Sequence, residues 1–426
     1  MIIILAILIV AMGFIGVPLF AVILAATMLG FYSTEIDLSI FAAELYRLAE
    51  TPMLLALPLF AFVGYILSES NTSERLLRLT RVFFGWMPTG LAIVSLVICA
   101  VFTAFTGASG ITIVALGALL LPALIKDGYQ EKFSLGLVTT SGSLGLLLPP
   151  SIPLILYGII VQQMNLGQKF TLLELFMAGL LPAILMIVML ALWASWSTRN
   201  TVLEKTPFSL AEAIAAVKDA AWELPLPLFI GFGIFGGYLA ISEVAAVTAL
   251  YIMLVEVFIY KEINLQGLVK VIIKAMKMVG GILLILGVSL AFTNYLVDAQ
   301  IPMHLFEWIK SNVDSKLTFL ILLNIFLLML GAILDIFSAL IIVVPLIVPI
   351  ALNYGVHPIH LGVIFLANMQ IGYFTPPVGM NLFIASYRFN KPITELYQAT
   401  IPFMLILLLA VGIITYVPWL SLWFME

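Results

Sequence analysis

Two stretches of the 426-residue chain place a proline pair inside long apolar runs, "LGLLLPPSIPL" around Pro149-Pro150 and "IGYFTPPVGMN" around Pro376-Pro377. Each proline removes a backbone donor and disfavours helical geometry at the residue before it, so carbonyls about a turn upstream are freed. Freed carbonyls suit a sodium ion, and the half-helix that restarts after each pair aims its N-terminal N–H groups at the same region, where an anion is favoured. A single break also reads as a plain kink healed by neighbouring hydroxyls or water; the recurrence of the pair tips the reading toward function. "FTGASGIT", Phe105 to Thr112, offers small residues and neutral oxygens, a pattern that also marks ordinary helix packing. "GAILDIFS", Gly331 to Ser338, carries Asp335 deep in an apolar stretch, where a charge calls for a cation or a hydroxyl partner and so points to a functional role. Ser141, Ser143, Asn368, Gln370, Thr375 and Asn381 surround the breaks as candidate cavity-lining groups, some of them plain structural hydrogen bonders.

The composition fixes where such breaks must sit. Hydrophobic residues make up 63% of the chain, charged residues 9%, and mean hydropathy is +1.22, too apolar for a water-facing surface. The apolar runs have the length of membrane-crossing helices, and none alternates as a barrel strand does, so the fold class is an all-α polytopic membrane protein. Spans are expected near 2–30, 52–68, 133–162, 173–197, 225–241, 243–260, 281–297, 360–387 and 397–424, with the first read as a retained span. The stretches 89–125 and 317–353 fit better as re-entrant hairpins. Segments 68–88, 126–132, 199–224, 261–280 and 388–396 then share one side, which takes every Lys and Arg but Arg47, Lys169, Lys310 and Lys316 and is cytoplasmic by the positive-inside rule. The N-terminus is expected inside and the C-terminus outside. Segments 35–50 and 264–279, the latter with "LQGLVKVIIKAMK", are expected to lie along the interface. No Lys or Arg falls within the assigned membrane core, so an anion there is expected to meet helix ends, hydroxyls, amides and co-bound sodium.

Sliding the chain on itself by 227 residues brings Pro122 onto Pro349, Gly128 onto Gly355, Gly145 onto Gly372, and Pro149-Pro150 onto Pro376-Pro377. The reading is a duplication. A first repeat at 1–200 holds hairpin 89–125 and broken helix 133–162; a linker at 201–224 leads to a second repeat at 225–426 with hairpin 317–353 and broken helix 360–387. Because the two hairpins open to opposite sides, the repeats are inverted, the pattern of secondary transporters with a midplane site. An enzyme is not expected. His304, His357 and His360 fall in expected outer loops, no Ser/His, HExxH or facing-Asp motif appears, and the one cysteine, Cys99, reads as a packing residue, so no transition-metal site is expected.

The runs "TGASGITIVALGALLLPALIKDGYQEKFSLGLVTTSGSLGLLLPPSIPLILYG", "PLIVPIA" and "NMQIGYFTPPVGMNLF" closely resemble the large membrane subunit of tripartite ATP-independent periplasmic (TRAP) transporters, over essentially the whole chain. The resemblance implies an elevator-type carrier of the ion-transporter superfamily in the bacterial inner membrane. It implies sodium-driven uptake of a small organic anion, a carboxylate or sulfonate, delivered by a periplasmic binding protein, with a separate four-helix membrane subunit completing the scaffold. It further implies one sodium site at Gly331, Gly372, Thr375 and Val378, and a repeat-related one at Ala104, Ser109, Gly145, Leu148 and Ser151. Asp335 matches an acidic position in many members, whereas Asp298 stands where relatives carrying organic acids often have Arg. A stand-alone sodium/dicarboxylate or citrate-type symporter of related fold is the alternative.

Overall fold

The computed structural model describes every residue except 1, 35, 88, 165–169, 202, 204–207 and 426, so Lys169 and part of the expected linker lie outside the described residues. The expected first span is two helices, α1 (Ile2–Phe14) and α2 (Leu19–Ser33). Gly16 takes a φ of +88°, and Pro18 cannot donate, so an apolar run that reads as continuous is cut in two. Amphipathic α3 (Ser39–Ala49) follows, then a tight turn at Pro52–Leu55 runs into α4 (Ala56–Glu69), and α5 (Thr72–Phe84) is short and basic.

The first hairpin is α6 (Gly90–Thr106) and α7 (Ser109–Lys126), turning on Gly107 at a φ of +64°. The first broken helix is α8 (Glu131–Ser141), a 3-10 turn at Leu144–Leu147, the proline pair, and α9 (Ile152–Gln163). Next come α10 (Leu172–Ser197), α11 (Leu210–Asp219), α12 (Pro225–Phe235) and α13 (Ile241–Leu254), the last continued by a π turn at Val255–Ile259. Thr171 and Glu174 close a reciprocal cap on α10, each side chain accepting from the other's backbone N–H. The expected separation of an interfacial segment 264–279 from a span 281–297 is corrected by α14 (Leu265–Asp298), one uninterrupted helix of 34 residues. Gly280 and Gly281 lie inside it without breaking it, since neither is followed by proline and both keep negative φ.

After α15 (Ile301–Lys310), the second hairpin is α16 (Lys316–Ile333) and α17 (Ile336–Asn353), and the second broken helix is α18 (Pro358–Gly372) and α19 (Met380–Phe389). The chain ends in α20 (Ile393–Tyr416) and α21 (Trp419–Leu422). Nine helices among the described residues are long and apolar enough to cross a membrane. Helix α7 begins and ends 227 residues before α17, and α8 begins 227 residues before α18.

Packing exchanges partners between the halves. Helix α7 lies against α19 and α17 against α9, while α8 packs on α20 and α10 on both α18 and α20. Tyr157 of α9 donates to the Pro358 carbonyl at 2.6 Å, and its ring lies where a Cβ on Gly362 would come within 2.4 Å. Every residue of α18 is buried, whereas the second break opens at Pro377 and Val378 and α19 keeps Phe383 and Tyr387 exposed. The two hairpins differ, however: α6 and α7 pack along their length, whereas α16 leans on α18 and touches α17 little.

Ion pairs collect the basic segments at one end of the molecule. Arg75 meets Glu223 at 2.6 Å, Glu256 at 3.3 Å and also Glu262, over the ring of Tyr260. Arg81 pairs with Asp127, Arg78 with Glu212 and Asp219, Lys274 with Glu69, and Lys391 with Glu131. These contacts join all five segments that the charge distribution assigned to one side.

Candidate functional site

Both breaks are built on a glycine pressed against a hairpin arm. A Cβ on Gly145 would lie 2.0 Å from the Ala100 carbonyl oxygen and 2.5 Å from the Ala104 nitrogen of α6. A Cβ on Gly372 would lie 2.5 Å from Cα and C of Gly331 in α16. Ala104 and Gly331 are themselves 227 positions apart, so the two contacts are counterparts. The Gly145 carbonyl accepts from the Leu148 amide at 3.1 Å and the Gly372 carbonyl from the Thr375 amide at 3.0 Å, leaving each a second lone pair. Both proline pairs are joined by cis peptides.

Polar contacts tie the breaks to the hairpin tips. Ser109 Oγ donates to Asn381 Oδ1 at 2.7 Å, linking the first tip to the second broken helix. Thr103 Oγ1 donates to the Gly142 carbonyl at 2.8 Å. At the second tip the Ile336 amide donates to the Tyr373 hydroxyl at 2.6 Å, and the Gly379 amide to the Ala332 carbonyl at 3.0 Å. Ser143 Oγ donates to the carbonyl of Gln370, its own counterpart at 227, at 3.0 Å. Thr375 Oγ1 donates to the Ile371 carbonyl at 2.8 Å and keeps its lone pairs. The hydroxyls of Thr139, Thr140 and Ser151 and Oε1 of Gln370 are buried with no hydrogen-bond partner among the described residues. Buried oxygens without donors are what a hard cation accepts as ligands, so these surroundings fit sodium better than a soft metal. No cluster of metal-ligating side chains occurs among the described residues.

Between the tips lies a cavity of about 620 Å³, walled by Gly107 to Ile111 of the first tip, Asp335 and Phe337 of the second, and Tyr373, Met380 and Ile384 of the second broken helix. Val114 and Ala115 of α7 complete the first-tip side, and the opposite wall is Tyr65, Ser68 and Glu69 of α4 with Lys274 of α14.

Asp335 has a partner, and it is the protein itself. It caps α17, with Oδ1 accepting the Phe337 and Ser338 amides at 3.0 Å each, and Oδ2 accepting the Ser338 hydroxyl. Of the expected cavity residues Asp335 lines this space, and so does Ser109, expected in a sodium site. Asn381 reaches it only through its bond to Ser109, while Ser141, Ser143 and Asn368 are buried behind it, Asn368 donating to Asn324 Oδ1 at 2.6 Å. Asp298 ends α14 at the far pole from Lys274, about 36 Å along the helix axis, and takes no part in the cavity. Val378 is 39% exposed in the turn after the prolines, and Leu148 immediately precedes the first pair.

One expectation about the histidines needs correction. His360 lies on no outer loop: it is buried in α18, with Nδ1 2.5 Å from Ser421 Oγ and Nε2 3.2 Å from the Thr415 carbonyl. His357 caps the same helix, its Nδ1 accepting the Ile359 amide. Lys274, within the segment read as interfacial, lies on the cavity wall with its side chain 53% exposed. Tyr65, Glu69, Lys274 and Tyr373 were missed by sequence reasoning. Only Lys274 left a signal, as a basic residue four positions from Lys270 and three from Lys277 at the head of an apolar run.

Comparison with known proteins gives a consistent answer. The family described as "Tripartite ATP-independent periplasmic transporter, DctM component" matches residues 2–420. A C4-dicarboxylate TRAP transporter large permease protein of Rhodobacter capsulatus is 32% identical over 97% of this chain and 96% of its own length. An isethionate TRAP transporter permease protein of Oleidesulfovibrio alaskensis, named DctMQ, is 30% identical over 87% of this chain and 58% of its own length. Among solved structures, the Alcanivorax borkumensis YdaH transporter aligns with a TM-score of 0.58 at 15% identity, covering 90% of this chain and 87% of that one. Neisseria gonorrhoeae MtrF aligns with a TM-score of 0.61 at 11% identity, covering 91% and 83%.

Proposed function

The chain belongs to the tripartite ATP-independent periplasmic transporter family as its DctM component, the large permease subunit, and from that premise we propose a sodium-coupled elevator for a small organic anion. In this reading the halves 1–200 and 225–426 are inverted copies, and the moving body consists of α6 to α9 and α16 to α19. Sodium is held at Gly331, Gly372, Thr375 and Val378, and at Ala104, Ser109, Gly145, Leu148 and Ser151. The carrying observation is the matched approach of Gly145 to Ala104 and of Gly372 to Gly331, with a cavity between the two tips. Backbone carbonyls at each break, with the hydroxyls of Thr139, Thr140 and Ser151 beside the first and Oε1 of Gln370 beside the second, supply neutral oxygens for the cation, and the following half-helices attract the anion.

Cargo is a carboxylate or sulfonate, the class named for the dicarboxylate and isethionate relatives. It arrives on a periplasmic binding protein, and a small membrane subunit completes the scaffold; the longer DctMQ relative supports that arrangement. The ion-paired pole faces the cytoplasm of a bacterial inner membrane, placing the N-terminus inside and the C-terminus outside, with the cavity open inward.

The test is uptake into proteoliposomes holding this chain and its small subunit, with binding protein and labelled succinate or isethionate outside. Accumulation that needs both an inward sodium gradient and the binding protein is expected. Accumulation without the binding protein favours a stand-alone symporter, and indifference to sodium removes the coupling assignment.

A further inference from the structure

Among the described residues Lys274 is the one basic side chain on the cavity wall, and the reading above leaves it without a task. Its Nζ lies 2.5 Å from Glu69 Oε1, joining α14 to the end of α4 across 205 residues of sequence. Both side chains stay about half exposed, at 53% and 44%, so the pair sits at the cavity rim. An exposed pair of this kind adds little to fold stability, which leaves its position to be explained.

The charges around the cavity supply an explanation. Among the described residues the wall carries Glu69 and Asp335 as acids and Lys274 as its base. Asp335 is occupied by the amides of its own helix and by Ser338, so its charge is already met. Glu69 is met by Lys274 alone among the described residues. An anion entering this space therefore finds one mobile cation on its wall, held by a carboxylate that competes for it.

We propose that Lys274 is the side chain that takes the anionic group of the cargo on the inward side, and that Glu69 reclaims it to release the cargo. The inference rests on the transporter reading and deepens it. A compact ammonium on a flexible stem suits such an exchange, because it forms a point contact and changes partner without a fixed fork geometry.

The experiment uses the purified complex of this chain with its small subunit, and labelled succinate, isethionate, ectoine and sialic acid as probes, each in sodium. For whichever probe the wild type binds, K274Q is expected to weaken equilibrium binding about tenfold or more while the sodium dependence holds, and K274R to retain most of it. E69Q is expected to bind more tightly and to transport more slowly. The charge swap E69K/K274E restores an ion pair without restoring Lys at 274, so binding stays weak if the lysine meets cargo. Unchanged binding in K274Q, or full recovery in the swap, overturns the lysine assignment and leaves the transporter reading standing. Binding of none of the four probes by folded wild type overturns the organic-anion reading, and the lysine assignment with it.

Discussion

At the scale of single residues, Asp335 shows how one observation changes a functional assignment. A carboxylate deep in an apolar stretch suggests a bound cation, yet this one accepts two backbone amides and a hydroxyl at the start of α17. Asp335→Ala should therefore lower the thermal stability of the purified protein by about 0.5–2 kcal/mol, the usual loss for an N-cap. Asp335→Asn keeps an acceptor for the amides and should leave the sodium half-saturation of uptake near the wild-type value. Thr375 behaves differently, because its hydroxyl oxygen lies beside a freed backbone and Ala removes it. Thr375→Ala should raise the sodium half-saturation about fivefold, the effect of losing one neutral ligand, without preventing membrane insertion. A large rise in Asp335→Asn alone would restore the cation to the carboxylate.

At the scale of elements, the decisive contacts are backbone on backbone. Ala at Gly145 or Gly372 has no room, since the obstructing atoms are main-chain atoms of α6 and α16. Each substitution should cost about 1–3 kcal/mol or more in thermal unfolding and abolish sodium-dependent uptake. Gly412 of α20 has nothing within 4 Å of a built Cβ, and Gly412→Ala should be neutral or raise stability by about 0.5–1 kcal/mol. The breaks at the proline pairs and the turn at Gly107 were legible in the sequence because proline pairs and clustered small residues interrupt apolar runs in ways few structures allow. The split between α1 and α2 was hidden, because Gly16-Val17-Pro18 lies in a run whose hydropathy never drops. The continuity of α14 was hidden for the opposite reason: Lys270, Lys274 and Lys277 make its first turns look interfacial, while helix geometry carries them on in one rod. The oxygen ligands proposed for sodium are largely backbone, which sequence marks only through the glycines and prolines that expose it. Tyr65 and Glu69 left no mark, since their place on the cavity wall comes from packing α4 beside α14.

At the scale of the whole molecule, ion pairs from Arg75, Arg81, Lys274 and Lys391 gather five distant segments at one pole. The inverted-copy reading makes a direct prediction about sidedness. Lys126 and Asn353 end α7 and α17, are 227 positions apart, and are both exposed. With buried Cys99 replaced by Ala, cysteine at 126 should react with an impermeant maleimide only in inside-out vesicles, and cysteine at 353 only in intact spheroplasts. Labelling of both from one side would mean parallel copies and would end the elevator reading.

The exchange of partners, α7 on α19 and α9 on α17, has a consequence for how such a chain is made. In the inverted-copy reading neither half closes its own interior, so the first to leave the ribosome waits in the lipid with an open flank until the second is synthesised. Truncation after α10 should thus yield an orphan sought out by quality-control proteases, whereas two fragments made together should rescue one another.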